Sequence, residues 1–183
     1  MFVTTIDAVL DFWFAEGMAE RWFVKDPAFD AEVRAALEPG YQEAREGRLD
    51  DWMSSARGCL ALCILLDQAP RNLFRADPRA FASDPQARSI VRHALGQGFQ
   101  ESLSQIERLF LYLPLEHSED LKDQEDCLAL TMALDENPSW YDYAVAHRDI
   151  IARFGRFPHR NEVLGREATP EEAAFLREPN SSF

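Results

Sequence analysis

Apolar residues recur at three- and four-residue spacing along most of this chain, a period that predicts helices with one buried face. The first such run has apolar residues at five positions, Ile6, Val9, Leu10, Trp13 and Phe14. Thr5 precedes the run as a capping residue and Gly17 follows it as a stop. No stretch alternates apolar and polar residues between turn signals, so the pattern predicts an all-α fold without strands.

Prolines divide the rest of the pattern into further helices. Asp26-Pro27 begins a second helix, which we expect to reach Pro39-Gly40, and residues 41–45 either resume it after a kink or lie outside it. The most apolar segment, residues 52–66, predicts a central helix that ends at Pro70. The next core helix is expected to stop at Pro114.

Five capping signals predict where the later helices begin: Asp84-Pro85, Ser104 with Glu107, Ser118, Ser139, and Thr169-Pro170 with Glu172. The helix capped by Ser118 is expected to reach about Glu136. The helix capped by Ser139 is expected to stop at Gly155, because glycine readily adopts the left-handed conformation that ends a helix.

The pattern as a whole predicts an antiparallel array of about seven or eight helices in one domain, residues 1–177, with a flexible tail at 178–183. No window approaches eighteen apolar residues and the opening segment has no basic start, so we expect a cytoplasmic protein without a membrane partner. The three cysteines lie in apolar helical stretches and are interpreted as reduced core thiols: Cys59, Cys63 and Cys127.

The net charge of −13 disfavours nucleic acid and anionic membranes as partners, because both require positive charge on the protein. Positive charge is nevertheless concentrated in two stretches, residues 71–93 and 147–166, each with five arginines against two acidic residues. If the two stretches meet in space, they form a local positive site that suits a small anion or a carboxylate.

The stretch from Tyr143 to Arg166 is the strongest candidate for a functional site. It runs from an amphipathic helix into a turn that holds Arg156, His159, Arg160 and Asn161 within six positions. These side chains predict a binding site for an anion. An alternative interpretation is structural, in which the arginines bond the carbonyl groups at the end of the preceding helix and tie its loop to a neighbour.

Other polar residues accompany this turn. His147 lies on the apolar face of the helix before the turn, where it is interpreted either as a hydrogen-bonded core histidine or as a ligand contact. Glu116 and His117 are candidate acid-base residues, but their spacing matches no metal motif, so neither a metal nor another cofactor is predicted. Arg71 and Asn72 are candidate ligand contacts, but they most simply close the end of the central helix, where Arg71 paired with a carboxylate such as Glu116 would be a structural tie.

Three segments resemble the signature segments of a bacterial family, the domain of unknown function numbered 924: LLDQAPRNLFRADPRAFASD, LFLYLPLEHSED and HRDIIARFGRFPHRNEVLGREATPEEAAFL. The resemblance covers nearly the whole chain, and the FGRFPHRN segment is the most specific part of it. It implies an all-α fold of the tetratricopeptide-like superfamily and no established activity, cofactor or catalytic residue.

Three hypotheses about function follow. The first is a helical binding protein whose Arg and His pocket recognises a small anionic ligand or an acidic peptide end. The second is an acid-base enzyme, hydrolase-like or of another kind, that uses His117 or His159 with Glu116. The third is an interaction protein that forms a homodimer through exposed aromatic residues.

Overall fold

A computed structural model describes residues 4–179 and 181–182, and these residues form helices and loops without a strand. The prediction of an all-α fold is confirmed. The α-helical segments in chain order are α1 Ile6–Trp13, α2 Pro27–Arg45, α3 Ala56–Cys63, α4 Ala69–Leu73, α5 Asp84–Gly96, α6 Gln105–Glu116, α7 Leu121–Thr131, α8 Ser139–Phe154 and α9 Pro170–Phe175. Because α3 and α4 are continuous, the described residues form eight helices.

The chain divides into two compact units. The first comprises Met1–Arg75 and Arg79–Pro114, and the second comprises Ala76–Pro78 and Leu115–Phe183. The single domain over residues 1–177 stays a prediction. Asn180 and Phe183 of the predicted tail lie outside the described residues.

The first unit has an aromatic core. Trp13, Phe29 and Phe110 are fully buried, with ring centroids 6.2 Å apart for Trp13 and Phe29 and 5.8 Å apart for Trp13 and Phe110. Trp22 packs 4.6 Å from Phe110, and its indole N–H donates to the backbone oxygen of Trp13 at 2.9 Å. Phe23 stands at the edge of this group with 67% of its surface exposed.

A π turn, Ile64–Gln68, joins α3 to α4 without a break. The backbone N–H of Ala69 donates to the oxygen of Ile64, five residues earlier, where a regular α-helix would bond four residues back. All five residues of the turn are buried. The joined helix therefore runs through the centre of the first unit, as its apolar composition predicts.

The prediction that Pro70 ends this helix is wrong, because Pro70 lies inside α4. The predicted end at Pro114 is wrong for the same reason, since α6 continues to Glu116, and α2 continues through Pro39 to Arg45, which was one of the two alternatives. A proline costs a helix one hydrogen bond and a local clash, and packing or a replacement donor can offset that cost.

The second unit is built around α7 and α8, which pack against each other. α7 begins after Asp120, whose carboxylate accepts from the N–H of Lys122 at 2.8 Å, and not after Ser118. It ends at Thr131, short of the expected Glu136. Ser139 is the first residue of α8, and its own N–H donates to the side chain of Asn137 at 3.0 Å.

The ends of α8 and α9 match the local signals in the sequence. Gly155 adopts a left-handed conformation, with φ of 67°, and its N–H donates to the oxygen of Ile151 at 2.8 Å. Thr169 and Glu172 form the predicted capping box at the start of α9, each side chain bonded to the other's backbone N–H.

None of the helices in the described ranges is long and apolar enough to cross a membrane.

Candidate functional site

Arg71 is held by two buried carboxylates of the first unit. Its Nη1 and Nη2 each donate to Asp84 at 3.1 Å, and the carboxylate of Asp67, which has no exposed surface, lies 3.2 Å from Nη1. Gln68 donates to Asp67 at 2.6 Å. The guanidinium of Arg71 therefore links the π turn to the start of α5.

Asn72 belongs to a second polar group on the same helix. Its Nδ2 donates to Asp30 of α2 at 2.8 Å, and the Nε of Arg75 donates to the other oxygen of Asp30 at 2.7 Å. Burial alone would raise the pKa of Asp30, but the bonds from Arg75 and Asn72 outweigh burial and lower it. Asn72 and Arg75 thus connect α4 to α2.

The turn after α8 forms for local reasons. Gly155 ends the helix, and the ring of Phe157 then becomes fully buried in a small core with Ile150 and Ile151. Pro158–Arg160 forms one turn of 3-10 helix, for which the proline supplies a suitable backbone conformation. The predicted site residues therefore lie on a short, well-packed element of the second unit.

Glu119 and Arg166 hold this turn. Arg166 makes a bidentate contact with the carboxylate of Glu119, to which its Nη1 and Nη2 donate at 2.7 and 2.9 Å. The N–H of Phe157 donates to Glu119 at 2.8 Å, and its backbone oxygen accepts from Arg166 at 3.1 Å. Burial alone would raise the pKa of Glu119, but these bonds outweigh burial and lower it.

Arg156, a predicted anion-binding residue, forks onto Glu172 of α9. Its Nε and Nη2 donate to the two carboxylate oxygens at 2.6 and 2.8 Å, and Nη2 also donates to the backbone oxygen of Glu167 at 2.9 Å. The bonds from Arg156 lower the pKa of Glu172 to about 2. This guanidinium ties the turn to α9.

His147 is buried in α8 with a defined tautomer. Its Nδ1 lies 2.8 Å from the backbone oxygen of Tyr143, and because a carbonyl oxygen only accepts, Nδ1 carries the proton. Burial first, and then the charge of His117, lower the pKa of His147 to about 3, so the ring is neutral at pH 7. Glu116 lies 3.4 Å from the same nitrogen, and the contact is therefore not an ion pair at that pH.

Three imidazole rings and one guanidinium lie close to Phe157 or to one another. The rings of His117 and His147 are 6.2 Å apart, and Phe157 lies 5.6 Å from His147 and 5.5 Å from His159. The guanidinium of Arg160 lies 4.4 Å over the Phe157 ring and donates to the backbone oxygen of His117 at 3.0 Å. We refer to His117, His147, His159 and Arg160 as the histidine cluster.

Arg160 supplies the permanent positive charge of the histidine cluster. Burial first, and then the charge of Arg160, lower the pKa of His159 to about 4, against an opposing effect of Glu119. Arg160 itself is only 6% exposed. A guanidinium stays charged at every accessible pH, so the cluster keeps one permanent positive charge beside imidazoles that resist protonation.

Asn161 adds a buried amide to the same turn. Only 2% of the residue is exposed, and its Oδ1 accepts from the Nε of Arg166 at 3.0 Å. Its Nδ2 is buried and has no hydrogen-bond acceptor among the residues that the structure describes. A buried donor without an acceptor costs about 1–3 kcal/mol. This amide therefore marks a place where an oxygen atom would be stabilised.

Glu116 contacts a thiol as well as His147. The Sγ of Cys127 lies 3.9 Å from one carboxylate oxygen, and burial followed by the charge of Glu116 raises the pKa of this thiol. Cys127 is therefore a protonated donor. Across residues 4–179 and 181–182, no group of three or more His, Cys, Asp or Glu side chains is arranged to hold a metal ion.

The predicted site residues fall into both units. Seven of them lie in the second unit: Glu116, His117, His147, Arg156, His159, Arg160 and Asn161. Arg71 and Asn72 lie in the first unit. Sequence reasoning did not single out Arg166, although it belongs to the arginine-rich stretch, nor did it predict that Glu172 would pair with Arg156.

Comparisons with known proteins place this chain in a family. Residues 9–180 match the family described as "Bacterial protein of unknown function (DUF924)", and the chain belongs to that family. A solved structure of a protein of unknown function from Agrobacterium tumefaciens is similar, with 40% sequence identity and a TM-score of 0.89 over 94% of this chain and 96% of that one. No curated protein matches the sequence.

Proposed function

We propose that this protein binds a small anion, such as a carboxylate or an acidic peptide end, at the histidine cluster. The observation that carries the proposal is the buried guanidinium of Arg160, which lies 4.4 Å over the Phe157 ring beside three imidazoles. Burial first, and then neighbouring positive charge, lowers the pKa of both His147 and His159, so their rings are neutral at pH 7. An anion would offset the positive charge of Arg160 in this buried environment.

Arg160 is the residue that would contact the anion directly. Its guanidinium is buried, stacked on Phe157 and bonded to the backbone oxygen of His117. A guanidinium held in this way loses little freedom on binding, and its planar fork matches the two oxygens of a carboxylate. Arg156 supports the turn in this proposal, through its two bonds to Glu172.

The ligand would be small. The net charge of −13 repels long polyanions, and a buried guanidinium is accessible to a compact group more readily than to a polymer. Both a free small acid and the carboxylate end of a peptide have this chemistry.

Calorimetric titration with acetate, succinate, inorganic phosphate and a short peptide tests the proposal. The peptide is used with a free and with an amidated carboxyl end, since only the free end carries the charge. We expect binding of at least one anion, and Arg160→Ala should abolish it. Arg153→Ala is the matched control, because Arg153 is an exposed arginine of the same unit paired with Glu171.

Two results would contradict the proposal. One is the absence of binding for every anion at millimolar concentration. The other is binding by Arg160→Ala at wild-type affinity. Binding of the peptide with a free carboxyl end, without binding of acetate or succinate, would identify a peptide carboxylate as the ligand.

An acid-base enzyme is the second candidate, and the fixed tautomer of His147 favours it. With Nδ1–H bonded to Tyr143, the Nε2 atom of a neutral ring is a potential base. A general base works best with a pKa near the working pH, however, and the values of about 3 for His147 and about 4 for His159 make both rings weak bases. NMR titration of the histidines that gave a pKa near 7 would favour the enzyme over the binding protein.

A further inference from the structure

We infer that Arg166 sets the specificity of the proposed anion site by fixing the side-chain amide of Asn161 with its N–H₂ group available to a ligand. This inference rests on the proposed function and names the class of ligand atom that the site accepts. That atom is an oxygen that accepts hydrogen bonds.

The orientation of the amide follows from the chemistry of Arg166. Its Nε lies 3.0 Å from the Oδ1 of Asn161, and a guanidinium N–H can only donate. Asn161 must therefore turn its oxygen toward Arg166. Rotating the amide by half a turn would place two donors face to face, so Nδ2 stays on the side away from Arg166.

Arg166 is itself fixed on its other side. Its two terminal nitrogens fork onto Glu119, and one of them also donates to the backbone oxygen of Phe157. The backbone of Asn161 is held as well, because its N–H donates to Pro158 at 3.0 Å and its oxygen accepts from the N–H of Arg166 at 2.8 Å. The amide has little freedom to reorient when a ligand arrives.

The consequence is selectivity for acceptor ligands. The Nδ2 of Asn161 is buried with no acceptor in the described part of the chain, and Asn161 follows Arg160 directly. A carboxylate or phosphate oxygen would satisfy that donor. An ammonium or amide N–H of a ligand would meet a second donor and be rejected.

Two substitutions test the inference with opposite chemistry. Asn161→Asp keeps an oxygen for Arg166 but replaces the Nδ2 donor by a second acceptor. Arg166→Lys keeps the positive charge opposite Glu119 but lacks the Nε–H that orients the amide. We expect each to weaken anion binding by about tenfold or more, the range of a hydrogen bond to a charged group. Arg153→Lys is the control for an arginine-to-lysine change and should bind as the wild type does.

The side-chain amide signals of Asn161 in nitrogen-15 NMR spectra supply a second measurement. They are assigned in the wild type through their connection to the backbone of Asn161 in triple-resonance spectra. In the ligand-free wild type we expect one sharp pair of signals, which should broaden or average in Arg166→Lys. Addition of the binding anion to the wild type should shift the pair.

The outcomes separate the inference from the proposed function. If the wild type binds an anion and both variants bind it equally well, the inference is overturned and the function stands. If no anion binds, the function fails, and the ligand-free spectra alone decide whether Arg166 orients Asn161. If neither variant folds, an Asn161 signal in the wild type that does not move on anion binding overturns the inference.

Discussion

The hydroxyl group of Ser83 donates to the backbone oxygen of Leu66 at 2.6 Å. In a regular α-helix that oxygen would accept from the N–H of residue 70, and residue 70 is a proline without an N–H. Ser83 is 3% exposed, so water does not readily replace its hydroxyl. A side chain from a following segment therefore supplies the donor that Pro70 lacks.

Replacing Ser83 with alanine should lower the free energy of unfolding. The variant leaves a buried carbonyl group without this donor, at a cost of about 1–2 kcal/mol. Chemical denaturation of the wild type and of Ser83→Ala measures the difference.

Ser54→Ala is the matched control for that experiment. Ser54 also donates to a backbone oxygen, that of Asp51 at 2.7 Å, but the bond is exposed and water can replace it. Equal destabilisation by the two variants would contradict the role given to Ser83. Restoring an N–H with Pro70→Ala should recover part of the loss in the Ser83→Ala protein.

Gly155→Ala should destabilise the second unit. With φ of 67°, residue 155 has a backbone conformation that costs a residue with a Cβ about 1 kcal/mol. A Cβ at this position would meet no atom within 4 Å, so the cost comes from the backbone alone. Thermal unfolding measures the change.

Gly96→Ala provides the comparison. Gly96 is the last residue of α5 and has no positive φ, and a Cβ there would likewise have open space around it. Alanine at this position should be neutral or stabilise by up to about 1 kcal/mol. A destabilisation as large as that of Gly155→Ala would show that the backbone conformation of residue 155 is not the cause of its effect.

Acid should destabilise the protein through its buried histidines. The pKa of His147 is lowered from 6.5 to about 3, and that of His159 from 6.5 to about 4. Below pH 6.5 the unfolded chain takes up protons that the folded chain cannot, so stability falls as the pH drops toward these values. Between its folded and unfolded pKa values, each histidine lowers the free energy of unfolding by about 1.4 kcal/mol for each unit that the pH falls. Unfolding free energies between pH 7 and pH 4 measure the slope, and His147→Gln should reduce it.

The carboxylate of Glu172 should affect stability at lower pH than the histidines do. Its pKa is lowered from 4.5 to about 2 by the bonds from Arg156, so its contribution is present above pH 4.5 and is lost as the pH falls toward 2. In Glu172→Gln the slope between pH 7 and pH 4.5 should therefore be unchanged. A flat stability profile across that upper range in the wild type would contradict the assignment to histidine.

The three cysteines should react slowly in the folded protein. Burial raises the pKa of Cys59 from 9.0 to about 11, which leaves about 100-fold less thiolate at pH 8. Burial also raises the pKa of Cys63 and of Cys127. A thiol reagent that absorbs on reaction should titrate all three cysteines in guanidinium and almost none in buffer. One fast thiol in the native protein would show that a cysteine is accessible.

Some signals that act within a few residues predicted helix ends correctly, whereas Ser118 and Ser139 did not cap the helices expected of them. Gly155 and the pair of Thr169 and Glu172 end and begin helices as expected, because each works through its own backbone neighbours. Pro70 misled the prediction because the donor that compensates for it, Ser83, lies outside its helix.

The site was predicted less well than the fold, for a related reason. The turn from Arg156 to Asn161 was recognised by its composition, but the side-chain pairs that decide which groups are engaged are distant in sequence. Arg166 and Glu119 are 47 residues apart, and Arg156 and Glu172 are 16 apart. Charge pattern alone does not tell which carboxylate each arginine engages.

The π turn between α3 and α4 gives the joined helix one residue more between Ile64 and Ala69 than an ordinary α-helix would have. Deleting one residue there would let the N–H of Ala69 reach the same oxygen across four residues, which is the regular α-helical bond. The following segment would keep its orientation, with Arg71 still at Asp84 and Asn72 still at Asp30. The shortened helix should therefore retain these polar contacts, although it is one residue shorter through the centre of the first unit.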